Sequence, residues 1–312
     1  MTNPSKQGLL SRGYDRAAIQ GAASREAARA GRHEVGFEHL LLGILVNGGP
    51  GARLLMNAGV SLSEVRSAIG ELLREDLSLL GIDAPVPAPS DGQPPGFLPL
   101  TPRLEEIEFD CPWAGGDAAL LAALIDDEGG RVRRLLDRLD VDTDEIRRGL
   151  GEPSATPRAP EPSPANGSPA DGQPPEGREY TTYDLEAPVS AQRVWQLVSD
   201  PERRSEWEPS AVSSRRLGGG VVELTTASGE TVRETITHSV PDREVTWTRD
   251  PDSEASRTVR IVIEPVGDHA GLHLRMDWPN AVRGRIANRA LRWISRNMLR
   301  AGAQAIAHAA AS

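Results

Sequence analysis

Residues 221–278 read VVELTTASGETVRETITHSVPDREVTWTRDPDSEASRTVRIVIEPVGDHAGLHLRMDW. Apolar and polar residues alternate here in short segments, the two-residue period of a strand with one face buried. Four segments carry the pattern, Val221–Thr226, Thr231–His238, Arg243–Arg249 and Ser256–Glu264, and Gly271–Trp278 is a fifth. Breaks fall at Gly218-Gly219-Gly220, Ser228-Gly229, Pro241-Asp242 and Asp250-Pro251-Asp252, residue types that favour turns. Working outward, Tyr180–Glu186 is a further strand ended by Pro188. Residues 190–199 form a helix through Val194, Trp195, Leu197 and Val198, capped by Ser190. A single long helix from about Ala281 to His308 closes the chain. The order is strand, helix, antiparallel meander, long helix.

Alternation sorts side chains by face. Val232, Glu234, Ile236 and His238 share one, followed by Val245, Trp247 and Arg249. Val259, Ile261 and Ile263 come next, then Leu272, Leu274, Met276 and Trp278. If this face is concave, Trp247, Met276 and Trp278 line a cavity beneath the last helix, with Glu234, His238 and Arg249 as its polar groups. An apolar pocket with a few placed polar groups is the usual form of a small-molecule site. The plainer alternative is that the aromatics fill the space under the helix and that Glu234 and Arg249 satisfy each other.

The words Ala187-Pro188-Val189, Val194-Trp195, Ser199-Asp200-Pro201 and Trp207-Glu208-Pro209 resemble the opening of the START-like (SRPBCC), or polyketide cyclase/dehydrase, superfamily. The resemblance covers 178–310 and implies an α+β helix-grip domain, an antiparallel sheet around a long C-terminal helix. The fold hosts many activities, so it does not name one.

Before residue 151 the period is helical. Ile19, Ala22, Ala23 and Ala27 lie on one stripe after a Ser11 start, and Leu40, Leu41, Ile44 and Leu45 on another. Ser61-Leu62-Ser63-Glu64 reads as a capping box before the stripe Val65, Ile69, Leu72 and Leu73. The pattern partly repeats. Thr101-Pro102 starts a helix, Leu120, Leu121 and Leu124 echo Leu41, Leu42 and Leu45, and Val141–Arg147 echoes Val60–Arg66. The run AGRHEVGFEHLLLGILVNGGPGARLLMNAGVSLSEVR resembles the first repeat of the N-terminal domain of Clp-type unfoldases, through His33, Val35-Gly36, Glu38-His39-Leu40-Leu41-Leu42-Gly43 and Gly59-Val60. The likeness implies a multidomain chain whose first part is an all-α Clp N-type domain with a degenerate second repeat. In that second unit the first helix is cut short at Phe109-Asp110-Cys111-Pro112-Trp113 and Asp117 stands near the place of the second glutamate. Phe37 replaces a threonine, so the helix there lacks a side-chain oxygen cap.

The domains expected are thus 8–150, helical and Clp N-like with an internal Pro-rich spacer at 81–99; a disordered Pro-rich linker at 151–178; and a START-like domain at 179–312. The linker GEPSATPRAPEPSPANGSPADGQPPEGR has no apolar period with which to offset its ordering entropy. DGQPP occurs in both spacer and linker, at Asp91–Pro95 and Asp171–Pro175.

Composition excludes several functions. The net charge is −10, against general nucleic-acid binding. Lys6 is the only lysine, so there is no Walker A lysine and no Schiff-base lysine beyond the first residues. No ATPase or protease site is read. No apolar run approaches about 20 residues, so no membrane span is expected, and the polar Met1–Gln7 leads to a cytoplasmic expectation. One cysteine, Cys111, rules out an internal disulfide; it has no neighbouring base and is read as non-catalytic. His33, Glu38 and His39 lack the ligand number and spacing of a metal site, so no metal and no cofactor are expected. Glu38 reads as a helix-start acid. By the Clp resemblance, Glu38 and Asp117 instead grip an arginine-phosphorylated or basic group on a client. The last helix carries Arg283, Arg285, Arg289, Arg292, Arg296 and Arg300, with Ile286, Ala290, Trp293 and Ile294 as its apolar side, and is read as a solvated cationic face.

Two functions follow. One is a non-ATPase adaptor or binding protein, its Clp-type domain meeting a Clp ATPase or protein client and its START-like domain holding a hydrophobic small molecule. The other is a polyketide cyclase- or aromatase-like enzyme working in the cavity, for which His238 and Glu234 are the catalytic candidates.

Overall fold

A computed structural model describes residues 4–83, 96–110, 116–151, 177–226, 228–251, 256–279 and 285–311, with side chains omitted at 4–15, 108–110 and 285–290. The chain divides into two compact units, Met1–Arg158 and Ala159–Ser312. Most of the Pro-rich linker (152–176), most of the spacer (84–95), Cys111 and Arg283 lie outside the described residues.

The first unit is helical: α1 (Pro4–Arg29), α2 (Phe37–Asn47), α3 (Pro50–Asn57), α4 (Leu62–Leu79), α5 (Pro102–Asp110), α6 (Gly116–Asp126), α7 (Arg131–Arg138) and α8 (Thr143–Gly151). Every residue of α2 from His39 to Asn47 is buried, so this helix, apolar all round, is the axis of the core. At Gly43 a Cβ would sit 2.6 Å from the carbonyl of Ile19, so only glycine allows α1 and α2 to approach this closely. The capping box before α4 forms: Ser61 N–H donates to Glu64 Oε2 at 3.0 Å, and Glu64 N–H to Ser61 Oγ at 3.3 Å. The repeat is visible in element lengths, 11 residues in α2 and α6 and 8 in α3 and α7. Val35 and Leu100, each just before a helix, form a parallel bridge, with Thr101 N–H donating to the Val35 carbonyl at 3.1 Å.

The second unit holds β1 (Arg178–Ala187), α9 (Ala191–Val198), a 3-10 turn (Pro201–Arg203), α10 (Arg204–Trp207), β2 (Ala211–Gly218), β3 (Val221–Thr226), β4 (Thr231–Val240), β5 (Glu244–Arg249), β6 (Arg257–Val266), β7 (His269–Pro279) and α11 (Arg285–Ala310). The seven strands form one antiparallel sheet in the order β1-β7-β6-β5-β4-β3-β2, with α9, α10 and α11 packed on it. This is the helix-grip arrangement. Its core face is built from the expected alternation: Val222 and Leu224, Val245 and Trp247, Ile261 and Ile263, and Leu272, Leu274 and Met276 are all buried.

Three expectations are corrected. The strand β2 was not foreseen; its polar sequence AVSSRRLG lies at the sheet edge and is largely exposed, so it has no hydrophobic rhythm to read. In β4 the register shifts by one residue between Ile236, opposite Trp247, and His238, opposite Thr246. One extra residue reverses the faces that follow, so His238 leaves the core face. In α11, Trp293 and Ile294 are 39% and 47% exposed; the buried seam is Leu299, Ala303, Ile306, Ala307 and Ala310. Ile286, Ala290, Arg285 and Arg289 are among the side chains not described.

Candidate functional site

On the core face of the sheet, three neighbouring strands place Glu234, Arg249 and Arg257 in one row: Glu234 is opposite Arg249, and Arg249 opposite Arg257. Two arginines face to face across a ladder repel. Two buried carboxylates offset them. Glu234 accepts from Arg249 Nε at 2.8 Å on one oxygen and from Arg204 Nε at 2.8 Å on the other. Glu208 accepts from Arg204 Nη2 at 2.7 Å and from the Ser210 hydroxyl at 2.6 Å, and lies 3.4 Å from Arg249 Nη2 and 3.6 Å from Arg257 Nη2. Arg204 is wholly buried, its guanidinium 3.7 Å from the centroid of the Trp207 ring. Trp207 in turn meets Trp247 edge to face at 6.3 Å.

Burial alone pushes the Glu208 carboxyl up. The charges of Arg204 and Arg257, the Ser210 hydroxyl and Arg249 outweigh it and hold the pKa at about 2. Burial lowers the pKa of Arg257, which Glu208 only partly counters and which Arg249 reinforces.

Beside this cluster, between the sheet and α11, is a cavity of about 20 Å³, room for one water. Its lining combines Trp207, Glu208 and Arg257, which carry polar groups, with apolar residues that include Met276, Met298 and Leu299, and with Gly302. A Cβ at Gly302 would meet nothing within 4 Å.

Of the residues foreseen from sequence, Glu234 and Arg249 join the cluster, and Met276 lines the cavity. Trp247 is buried against α9, its Nε1–H donating to the Val198 carbonyl at 3.0 Å, and packs behind the cavity wall. Trp278 is buried outside the cavity lining. His238 is on the opposite face, exposed and 3.6 Å from Glu244. The sequence reading missed Arg204, Trp207, Glu208 and Arg257. Arg257 has the same parity as Val259, Ile261 and Ile263, and Glu208 follows Arg204 by four residues, so both signals were present.

In the helical unit Glu38 is in the first turn of α2, mostly buried, with Arg131 of α7 at 3.8 Å. Arg131 also holds Asp76 at 2.7 Å. Hydrogen bonds from Arg131 and then Arg134 keep the Asp76 carboxyl below its ordinary range. His39 is buried and its Nδ1 accepts from the N–H of the N-cap residue Gly36 at 2.9 Å, the reciprocal half of a capping box, while Gly36 itself offers no side-chain oxygen to the first turn of α2. That bond requires a neutral imidazole, and burial lowers its pKa. His33 is exposed. Asp117 is buried, and its carboxylate covers the N-terminus of α3: it accepts from Ala52 N–H at 3.3 Å, where the N-cap Gly49 has no side chain. No helix among the described residues is long and apolar enough to cross a membrane.

Comparison with known proteins agrees with this division. Residues 16–105 match the Clp repeat (R) N-terminal domain, and residues 181–311 the polyketide cyclase / dehydrase and lipid transport family. The ATP-dependent Clp protease ATP-binding subunit ClpA homolog of Cyanidium caldarium is 31% identical over 145 residues, 42% of this chain. The chain spans 15% of the length of that relative. Similar solved structures include an uncharacterised Bacillus thuringiensis protein (24% identity, TM-score 0.33, 39% of this chain and 95% of that one). A START superfamily protein from Mycobacterium smegmatis is 18% identical (TM-score 0.31, 38% of this chain and 94% of that one). Truncated norcoclaurine synthase from Thalictrum flavum is also 18% identical (TM-score 0.34, 42% and 91%).

Proposed function

We propose that this chain, which joins a Clp repeat N-terminal domain to a START-like polyketide cyclase/dehydrase domain, is a binding protein in which one domain meets a protein partner and the other holds a hydrophobic small molecule. The observation that carries the ligand half is the cavity under α11, lined by the apolar Met276, Met298 and Leu299 together with the polar groups of Trp207, Glu208 and Arg257. At about 20 Å³ it admits an extended ligand only by displacing side chains. Two methionines in its wall, unbranched and adaptable, are suited to that.

Binding is favoured over cyclase-type catalysis. Chemistry there needs a general acid or base beside the cavity. Glu208 is held ionised as a very weak base, Glu234 is clamped between two arginines, and His238 is on the other face. In the helical domain Glu38 is the carboxylate offered to a basic or arginine-phosphorylated client, or to a matching surface on a Clp ATPase. Arg131 already neighbours it, so a client guanidinium takes the place of Arg131. Asp117 is spent on α3 and contributes through that helix.

Calorimetric titration of the full chain with 1-decanol and 1-naphthalenemethanol tests the ligand half. Binding is expected for one or both, weakened at least tenfold by Gly302→Leu, which puts a side chain into the cavity. Failure of both alcohols and of the matching acids, decanoate and 1-naphthoate, to bind refutes it. For the client half, an arginine-phosphorylated peptide is expected to bind, more tightly to Arg131→Gln and not to Glu38→Gln. Binding indifferent to both variants refutes that half.

A further inference from the structure

The charge cluster beside the cavity does not close on itself. Three guanidiniums, of Arg204, Arg249 and Arg257, face two carboxylates, of Glu208 and Glu234, so one positive charge is left over. Donors are left over as well. Arg204 Nη1, Arg249 Nη2, Arg257 Nε and Trp207 Nε1 are all buried and make no hydrogen bond within the protein, although Arg249 Nη2 still lies 2.8 Å from Glu234 as an ion pair. Native structures pair nearly all such groups, and each exception calls for a reason. The nearby carboxylates are engaged elsewhere: Glu208 takes the Ser210 hydroxyl and Arg204, and Glu234 takes Arg204 and Arg249. Arg257 donates from Nη1 to the Met298 sulfur at 3.9 Å, a weak acceptor, and its Nη2 lies 3.6 Å from Glu208 and 4.0 Å from Glu234, too far for a hydrogen bond.

Two of these donors belong to residues that line the cavity, Trp207 at 2% exposure and Arg257. The same cavity is also lined by Met276, Met298, Leu299 and Gly302. An excess cation, two unpaired N–H groups and an apolar wall together specify a ligand with a negative head and an apolar body.

We propose that the START-like domain binds an apolar carboxylic acid, its carboxylate paired with Arg257 Nε and Trp207 Nε1 and its tail running past Met276 and Met298 to Gly302. This rests on the ligand-binding reading above and narrows it to a chemical class. A carboxylate supplies the missing acceptors and brings the cluster to three cations against three anions. An alcohol or ketone of the same body supplies an acceptor without the charge. The lowered pKa of Arg257, set first by burial, agrees with a cation lacking its full complement of partners.

The test is calorimetry on the full chain with decanoate against 1-decanol, and 1-naphthoate against 1-naphthalenemethanol. At least one acid is expected to bind about tenfold or more tighter than its alcohol, the worth of one charge-assisted hydrogen bond. Arg257→Met is expected to remove that advantage, costing the acid at least tenfold and the alcohol, whose hydroxyl still has Trp207 Nε1, much less, and Gly302→Leu to weaken acid and alcohol alike. Arg257→Lys, which keeps the charge but lacks Nε, is expected to fall between. Equal affinity of acid and alcohol for the natural chain overturns the carboxylate assignment and leaves the apolar site standing. An equal loss of acid and alcohol affinity in Arg257→Met, with tryptophan emission unchanged, overturns it too. If no acid and no alcohol binds, the apolar site and the carboxylate assignment fall together.

Discussion

Replacing Glu234 by Gln should destabilise the START-like domain far more than replacing Arg257 by Met, although both residues belong to one cluster. Glu234 is 2% exposed and each of its oxygens takes a guanidinium N–H at 2.8 Å. Glutamine keeps the shape and removes the charge, leaving three buried cations against Glu208 alone. Breaking a buried charge network by removing one partner costs about 3–5 kcal/mol. Against a total stability of about 5–15 kcal/mol for a domain, that is a large fraction. Arg257→Met instead leaves two cations and two anions and removes an undercompensated charge, so its effect should be within about 1 kcal/mol of zero or stabilising. Urea unfolding followed by tryptophan emission reads this domain, since five of the six tryptophans lie beyond residue 176. The pH dependence has a fixed sign. With Glu208 at about 2 when folded and 4.5 ordinarily, its contribution is complete above pH 4.5 and is lost as pH falls toward 2. The shift corresponds to roughly 3 kcal/mol. The reasoning is refuted if Glu234→Gln costs less than about 1 kcal/mol, or if Arg257→Met costs as much as Glu234→Gln.

Two histidines should give the two units opposite pH slopes. His39, its pKa lowered by burial, stabilises the helical unit fully above pH 6.5 and less as pH falls through its folded value. His273, raised first by its hydrogen bond to Asp184 at 2.8 Å, stabilises the sheet below pH 6.5 and loses this as pH rises through its folded value. Hydrogen exchange of the full chain at pH 5 and 8 should show α2 and β7 moving in opposite directions, with His39→Gln and Asp184→Asn each flattening its own unit. Gly49→Ala should destabilise by about 2 kcal/mol, because its Cβ overlaps the Asp117 carboxylate, and by much less in an Asp117→Ala background; additive costs in thermal melts would contradict this. Trp247→Phe should lose about 1–2 kcal/mol in the same urea assay, from the Val198 carbonyl left unpaired.

What could be read from the chain was whatever repeats locally. The strand β3 has the bounds its alternation gives, Val221–Thr226. Ser190 caps α9, and Ser61 and Glu64 close their box, because each of these contacts spans three residues. Helices before the linker and pleated strands after it follow from period alone, and the quoted Clp and START-like words located both domains. Where local rhythm is absent or broken, the chain is silent. The edge strand β2 buries too little to alternate, and the single-residue shift in β4 carries His238 to the other side of the sheet while its sequence pattern stays unbroken. Alternation could put Glu234, Arg249 and Met276 on one face, but the cluster they join came from packing. Arg204 and Glu234 are 30 residues apart and Trp247 and Val198 are 49 apart, distances over which no periodicity carries information. Three strands and a short helix had to close over one another, excluding water, before an excess of cations and unpaired N–H groups beside a cavity became a property of this molecule.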